Sequence, residues 1–192
     1  DEPAMAPVIE GVIGKNGYDN TQCRVFRWFD PNSTDGTSRG DHEWVEYSSD
    51  LAPVFSLRPG RLMWIKGLES HSVSFGSGVT VSLRDTVSVD LGANGNWTDI
   101  AVPHKFGIYL GDILDASGEL ADSLHVYRWE AGDDNVYVTQ PVYLPGLPDS
   151  SYASKRVVLN GGSRSGYSIY NPTESSIQLR IPSTTHLMSA YE

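Results

Sequence analysis

The sequence predicts an all-β protein, an antiparallel β-sandwich of many short strands with almost no helix. Three observations carry that prediction. The 19 glycines and 11 prolines are scattered through all 192 residues and punctuate short apolar runs, the pattern of turns between short strands. Alternation with period two recurs at Val79, Val81 and Leu83, at Val87, Val89 and Leu91, and at Ile177, Leu179 and Ile181, with polar residues between, as half-buried strands require. No window of ten residues holds apolar side chains at helical spacing. The best helical stretch is one turn around Asp112 to Ala116, where an aspartate suits a helix start.

The remaining strands follow from runs rich in β-branched and aromatic residues. In chain order these are Arg24 to Trp28, Glu43 to Tyr47, Arg61 to Lys66, His71 to Phe75, Phe106 to Leu110, Leu124 to Trp129, Asn135 to Thr139, Lys155 to Leu159 and Tyr167 to Asn171. Counting every run gives about 12 to 15 strands. Val25-Phe26-Arg27-Trp28 is echoed by Val126-Tyr127-Arg128-Trp129, and a turn-rich loop and a further aromatic strand follow each. A spacing of about a hundred residues is too long for a solenoid unit. A single module over residues 1–192 is expected, with pseudo-repeat halves near 18–92 and 93–183, because Val79 to Ile113 carries strand signals and no linker composition. Its expected core is Val25, Phe26, Trp28, Val45, Trp64, Ile65, Val81, Val89, Ile108, Val126, Trp129, Val138, Ile169, Leu179 and Ile181, each on an apolar face or in a repeated segment.

Charge narrows the function. Fourteen Lys and Arg stand against 24 Asp and Glu, a formal charge of -10 that repels a polyphosphate, so nucleic acid is not an expected partner. No run of 18 apolar residues occurs and no charged-then-apolar leader opens the chain, which points to a soluble, excised or already processed segment without membrane insertion. Cys23 is the one cysteine, which excludes an internal disulfide and any Cys-built metal site.

Several short patterns recur in a fixed order: Gly17-Tyr18-Asp19, Arg24-Val25-Phe26-Arg27-Trp28, Trp44-Val45-Glu46-Tyr47, Leu57-Arg58-Pro59-Gly60-Arg61-Leu62-Met63-Trp64-Ile65, Trp97 to Phe106, Asp112-Ile113-Leu114, Gly166 to Asn171 and Leu179-Arg180-Ile181-Pro182. In that order they resemble a β-rich module of long secreted and surface proteins of Bacteroidota, Fibrobacterota and related bacteria, often found ahead of a C-terminal sorting domain. The resemblance covers nearly the whole chain. It departs at Cys23, where a Trp is common, and at Gly161 to Gly166, which replaces an aromatic-Glu-Gly turn. It implies an extracellular or cell-surface location and an accessory role, with no settled chemistry.

The residues themselves show no catalytic pattern. His42, His71, His104, His125 and His186 lack metal-ligand spacing, and no Gly-x-Ser-x-Gly elbow occurs. Glu43, Glu46, Asp99, Asp112, Asp115 and Glu130 could supply a glycosidase pair, but among 24 acids some pair arises by chance and no local motif joins two of them. No cofactor is expected, and a calcium requirement is possible but unsupported. Asp30 to Gly36 superficially suggests a calcium loop, yet its glycine is out of register and no Glu closes it, and Asp133-Asp134-Asn135 offers a second acidic turn; both read more simply as hairpin loops.

Aromatic residues are more informative. Val45 and Tyr47 share one face of their strand, which leaves Trp44 with Glu46 on the other; Tyr109 opposes Ile108 and Leu110, Tyr137 opposes Val136 and Val138, and Tyr170 opposes Ile169. The duplicated Phe26, Trp28, Tyr127 and Trp129 read as core. Flat rings flanked by carboxylates stack on sugars and hydrogen-bond their hydroxyls, so Trp44, Glu46, Tyr109 and Tyr137 form the expected ligand face of a non-catalytic module for neutral extracellular polysaccharide. Competing readings are a structural spacer or adhesin whose aromatics meet neighbouring domains, and a glycan-active hydrolase using an Asp/Glu pair.

Overall fold

The computed structural model describes residues 8, 18–29, 43–68, 81–131, 137–146, 152–161 and 166–183. Strand β1 (Cys23–Phe29) lies between β2 (Glu43–Glu46) and β3 (Trp64–Gly67) in a three-stranded antiparallel sheet. Its alternation sends Cys23 and Val25 into a small core with Val8, Val45, Tyr47 and Phe55. Phe26 faces the other way, between Glu46 of β2 and Trp64 of β3, and Trp28 pairs with Trp44. A 3-10 turn at Ser49–Phe55 closes this core, and the carbonyl of its penultimate residue, Val54, accepts from the Arg27 guanidinium at 2.8 Å and the Arg61 guanidinium at 3.3 Å.

The larger half is built on three further sheets. Strands β4 (Val87–Leu91) and β11 (Ile177–Ile181) pair with each other, as do β6 (Ile108–Tyr109) and β9 (Val158–Leu159). Four strands, β5 (Asn96–Ile100), β10 (Tyr167–Asn171), β7 (His125–Ala131) and β8 (Tyr137–Tyr143), form one antiparallel sheet in that spatial order. Pro141 sits in β8, where an edge strand tolerates the missing N–H, next to a register shift at Val126/Tyr127. Helix α1 (Leu110–Ser117) packs on β11, and its Leu110, Ile113 and Leu114 fill the core with Ile100, Val126, Ile169 and Leu179. Its first amides donate to Val157 and Lys155 carbonyls at 2.8 and 2.9 Å, and Gly118 ends it at φ +92.

The fold is therefore mixed α/β, and the expectation of a nearly helix-free β-sandwich is overturned. Leu110, Ile113 and Leu114 are spaced i, i+3, i+4, but an eight-residue helix is too short to show in a ten-residue window and too short to persist alone. It forms because its apolar stripe closes the larger core. A second 3-10 turn at Glu119–Ser123 follows it. Other expectations also change. Val81 lies outside any strand and Leu83 is 61% exposed, because the segment at 81–86 makes a turn held by Asp85 N–H to Ser82 O. Ile65 is 38% exposed, and Phe26, Trp28, Trp64 and Trp129 are half-buried and not core. Val79, the run His71 to Phe75, the loops at 30–36 and 133–135, and the side chain of Val138 lie outside the described residues. No helix among the described residues is long and apolar enough to cross a membrane.

Candidate functional site

All five tryptophans, dispersed from Trp28 to Trp129 in sequence, converge on one strip where the three-stranded and four-stranded sheets meet. The pairing explains the convergence. Because Trp28 and Trp44 are cross-strand partners on β1 and β2, their rings meet at 5.3 Å and 73°. Trp64 leans from the far side of β1 to lie 5.8 Å from Trp44 and 4.7 Å from Trp129 of β7, again edge to face. Edge-to-face contact satisfies the ring quadrupoles and is worth about 0.5 to 1.5 kcal/mol per pair. The Trp28 indole N–H donates to the Trp97 carbonyl at 3.2 Å and ties the strip to β5.

On the four-stranded sheet the same face carries a second row. Trp97, Tyr170 and His125 are register partners across β5, β10 and β7, so their rings follow one another at 5.0 and 5.3 Å, and Tyr127 lies 5.2 Å from Trp97. All are half-buried, and Trp44 is 44% exposed. Asn94 and Gly95 both hold positive φ in the turn before β5; a Cβ at Gly95 would stand 3.1 Å from the Tyr170 hydroxyl, so the turn leaves room for the end of the row. Burial lowers the pKa of His125 and favours its neutral ring.

Between the rows lies Asp99, on the same face of β5 as Trp97. Its carboxylate accepts the Trp64 indole N–H at 3.1 Å and the hydroxyl of Ser168, and Ser168 in turn accepts the Trp129 indole N–H at 2.8 Å. Burial pushes the Asp99 carboxyl above the ordinary carboxylate range, and the hydrogen bonds from Ser168, Trp64 and Trp129 work against that rise.

The expected ligand residues are distributed unevenly. Trp44 is in the strip. Glu46 shares its face, but both carboxylate oxygens are taken: Arg24 donates to them at 3.1 and 2.5 Å, and the Tyr18 hydroxyl donates at 2.8 Å. The Arg24 guanidinium also lies 4.7 Å from the centre of the Phe26 ring. Tyr109 stands half-buried on the β6–β9 sheet at the start of α1, a different sheet from that of Trp44. The side chain of Tyr137 lies outside the described residues. Sequence reasoning missed Trp97, Asp99, His125 and Tyr127 as members of the strip that also holds Trp44, and it placed Trp28, Trp64 and Trp129 in the core. The available signal was parity along β5, where Trp97 and Asp99 oppose Ile100, but the polar Asn96 and Thr98 on the inner face hide it.

The other candidate groups are scattered. Asp115 lies 3.9 Å from Lys155, whose principal partner is Asp122 at 2.6 Å, and Glu130 pairs with Arg128. Asp112 is buried in the first turn of α1. His104 is buried and stacked on Phe106 at 5.0 Å, with burial lowering its pKa. Among the described residues no group of three or more His, Cys, Asp or Glu is placed to hold a metal ion; His42, His71, His186 and the two acidic loops lie outside them. Compared with protein-family models, curated proteins and solved structures, the chain matches none.

Proposed function

We propose that the chain is a non-catalytic accessory module of a secreted or cell-surface bacterial protein, and that it binds a neutral extracellular glycan along the tryptophan strip. The observation that supports this reading is the gathering of all five tryptophans, with Tyr127, Tyr170 and His125, on one partly exposed face outside both apolar cores. Aromatic surface left in water costs about 25 cal/mol per Å² and gives a folded monomer little in return, so a continuous strip of it is suited to a partner. A sugar ring offers axial C–H groups to an indole face and hydroxyls to Tyr127 and Tyr170. The formal charge of -10 disfavours acidic polysaccharides. Open-faced stacking of this extent stabilises a complex by about 4 to 8 kcal/mol, in the millimolar to micromolar range.

The test is native gel electrophoresis through a panel of neutral polysaccharides, with wild type, Trp44→Ala and Trp97→Ala run side by side. At least one polysaccharide should retard the wild type, and each substitution should restore mobility while the circular dichroism spectrum is kept. If none retards the wild type, the strip serves as contact surface for neighbouring domains, and the spacer reading replaces this one.

A further inference from the structure

Asp99 is a half-buried carboxylate whose partners among the described residues are all neutral donors: the Trp64 indole, the Ser168 hydroxyl and, through Ser168, the Trp129 indole. An ionised group held in such a setting without a counter-charge costs several kcal/mol unless hydrogen bonds compensate it. What this carboxylate holds is the contact between the two sheets, since Trp64 belongs to the three-stranded sheet and Trp129 to the four-stranded one, 4.7 Å apart. A proton on Oδ2 would oppose the Trp64 N–H, which has no lone pair to receive it. A proton on Oδ1 would take the place of the Ser168 hydroxyl hydrogen and leave that hydrogen without its acceptor.

We infer that Asp99 is a positioning residue of the strip: with Ser168 it fixes the indoles of Trp64 and Trp129 at the junction of the sheets, and the strip loosens when the carboxylate takes up a proton. Its effect on ligand affinity rests on the glycan reading above; its effect on the indoles does not. Burial, the largest cause, raises the Asp99 carboxyl above its ordinary value, against the hydrogen bonds from Ser168 and the indoles. The other titratable and charged groups facing the junction are His125 and Tyr127 of β7, Tyr170 of β10, Arg24 of β1, Glu46 of β2 and Lys66 of β3. Glu46 is bonded to Arg24 and Tyr18, and the hydrogen bond from Arg24 holds it below its ordinary value, while burial lowers His125 toward the acidic side, so His125 is the group the experiment must separate from Asp99.

Intrinsic tryptophan fluorescence, followed from about pH 3 to about pH 8, separates these groups without any glycan present. Wild type should show an emission change with a midpoint above the ordinary carboxylate range. Asp99→Asn should abolish it, and His125→Gln should keep it. Ser168→Ala, which removes one donor to the charged form, should move the midpoint up. A transition that persists in Asp99→Asn overturns the inference. If that variant does not fold, Ser168→Ala decides alone: an unmoved midpoint overturns the assignment. A second arm measures retardation by hydroxyethylcellulose near pH 7, where Asp99→Asn should weaken binding about fivefold. Failure of every polysaccharide to bind the wild type refutes the glycan reading and leaves the fluorescence arm to judge Asp99.

Discussion

At the scale of single residues, Trp44 separates a surface role from a core role. It contacts Trp28 and Trp64 edge to face, so Trp44→Ala should cost about 1 to 3 kcal/mol in urea denaturation, below the roughly 3 to 5 kcal/mol of a lost core aromatic. Alternation in Glu43 to Tyr47 made that exposure legible, because Val45 and Tyr47 leave only one face for Trp44. The same alternation misled in β1. Cys23 and Val25 on one side and Phe26 and Trp28 on the other are all apolar, so parity separates two faces without saying which one meets the core. The Glu46 cluster gives a pH prediction. Hydrogen bonding to Arg24 is the largest cause holding the Glu46 carboxyl below its ordinary 4.5, so its contribution to stability is present above that pH and lost as pH falls further. The stability gap between wild type and Glu46→Gln should therefore shrink on acidification. At the alkaline end burial, helped by Glu46, pushes Tyr18 up to about 12; the protonated hydroxyl contributes below about pH 10 and is lost as pH rises through 12. Ultraviolet difference titration of wild type against Tyr18→Phe should show one late tyrosinate.

Among elements, the short helix governs the larger core. Leu114 is fully buried where α1 meets β11, and Leu114→Ala should cost about 2 to 5 kcal/mol in chemical denaturation. A cost under about 1 kcal/mol would contradict the central place given to that helix. Strands with strict alternation, β4 and β11, were legible from sequence, and so was the echo of Val25 to Trp28 in Val126 to Trp129. In the fold both valines are fully buried and both aromatic pairs turn to the shared strip. Elements that depend on tertiary contact were not legible. Helix α1 needs Val157 and Lys155 carbonyls for its first amides, and β8 runs on through Pro141 because it lies at a sheet edge. The Asp99 network joins positions 64, 99, 129 and 168, and no local spacing rule links residues so far apart in sequence.

For the whole molecule, two apolar cores lie on opposite sides of a tryptophan strip that joins the sheets, and the chain carries a formal charge of -10. This layout assigns stability to the cores and recognition to the strip. Because every tryptophan belongs to the strip, the five indole N–H signals in a proton–nitrogen correlation spectrum report on it directly. Titration of the labelled protein with neutral gluco-, xylo- and manno-oligosaccharides at millimolar concentration tests the central claim. The account predicts that at least one series shifts several indole signals together in a saturable way, with the Trp44 signal among them, and that Trp44→Ala weakens the response. Five indole signals unmoved by every oligosaccharide, in a protein that stays folded throughout, would contradict it.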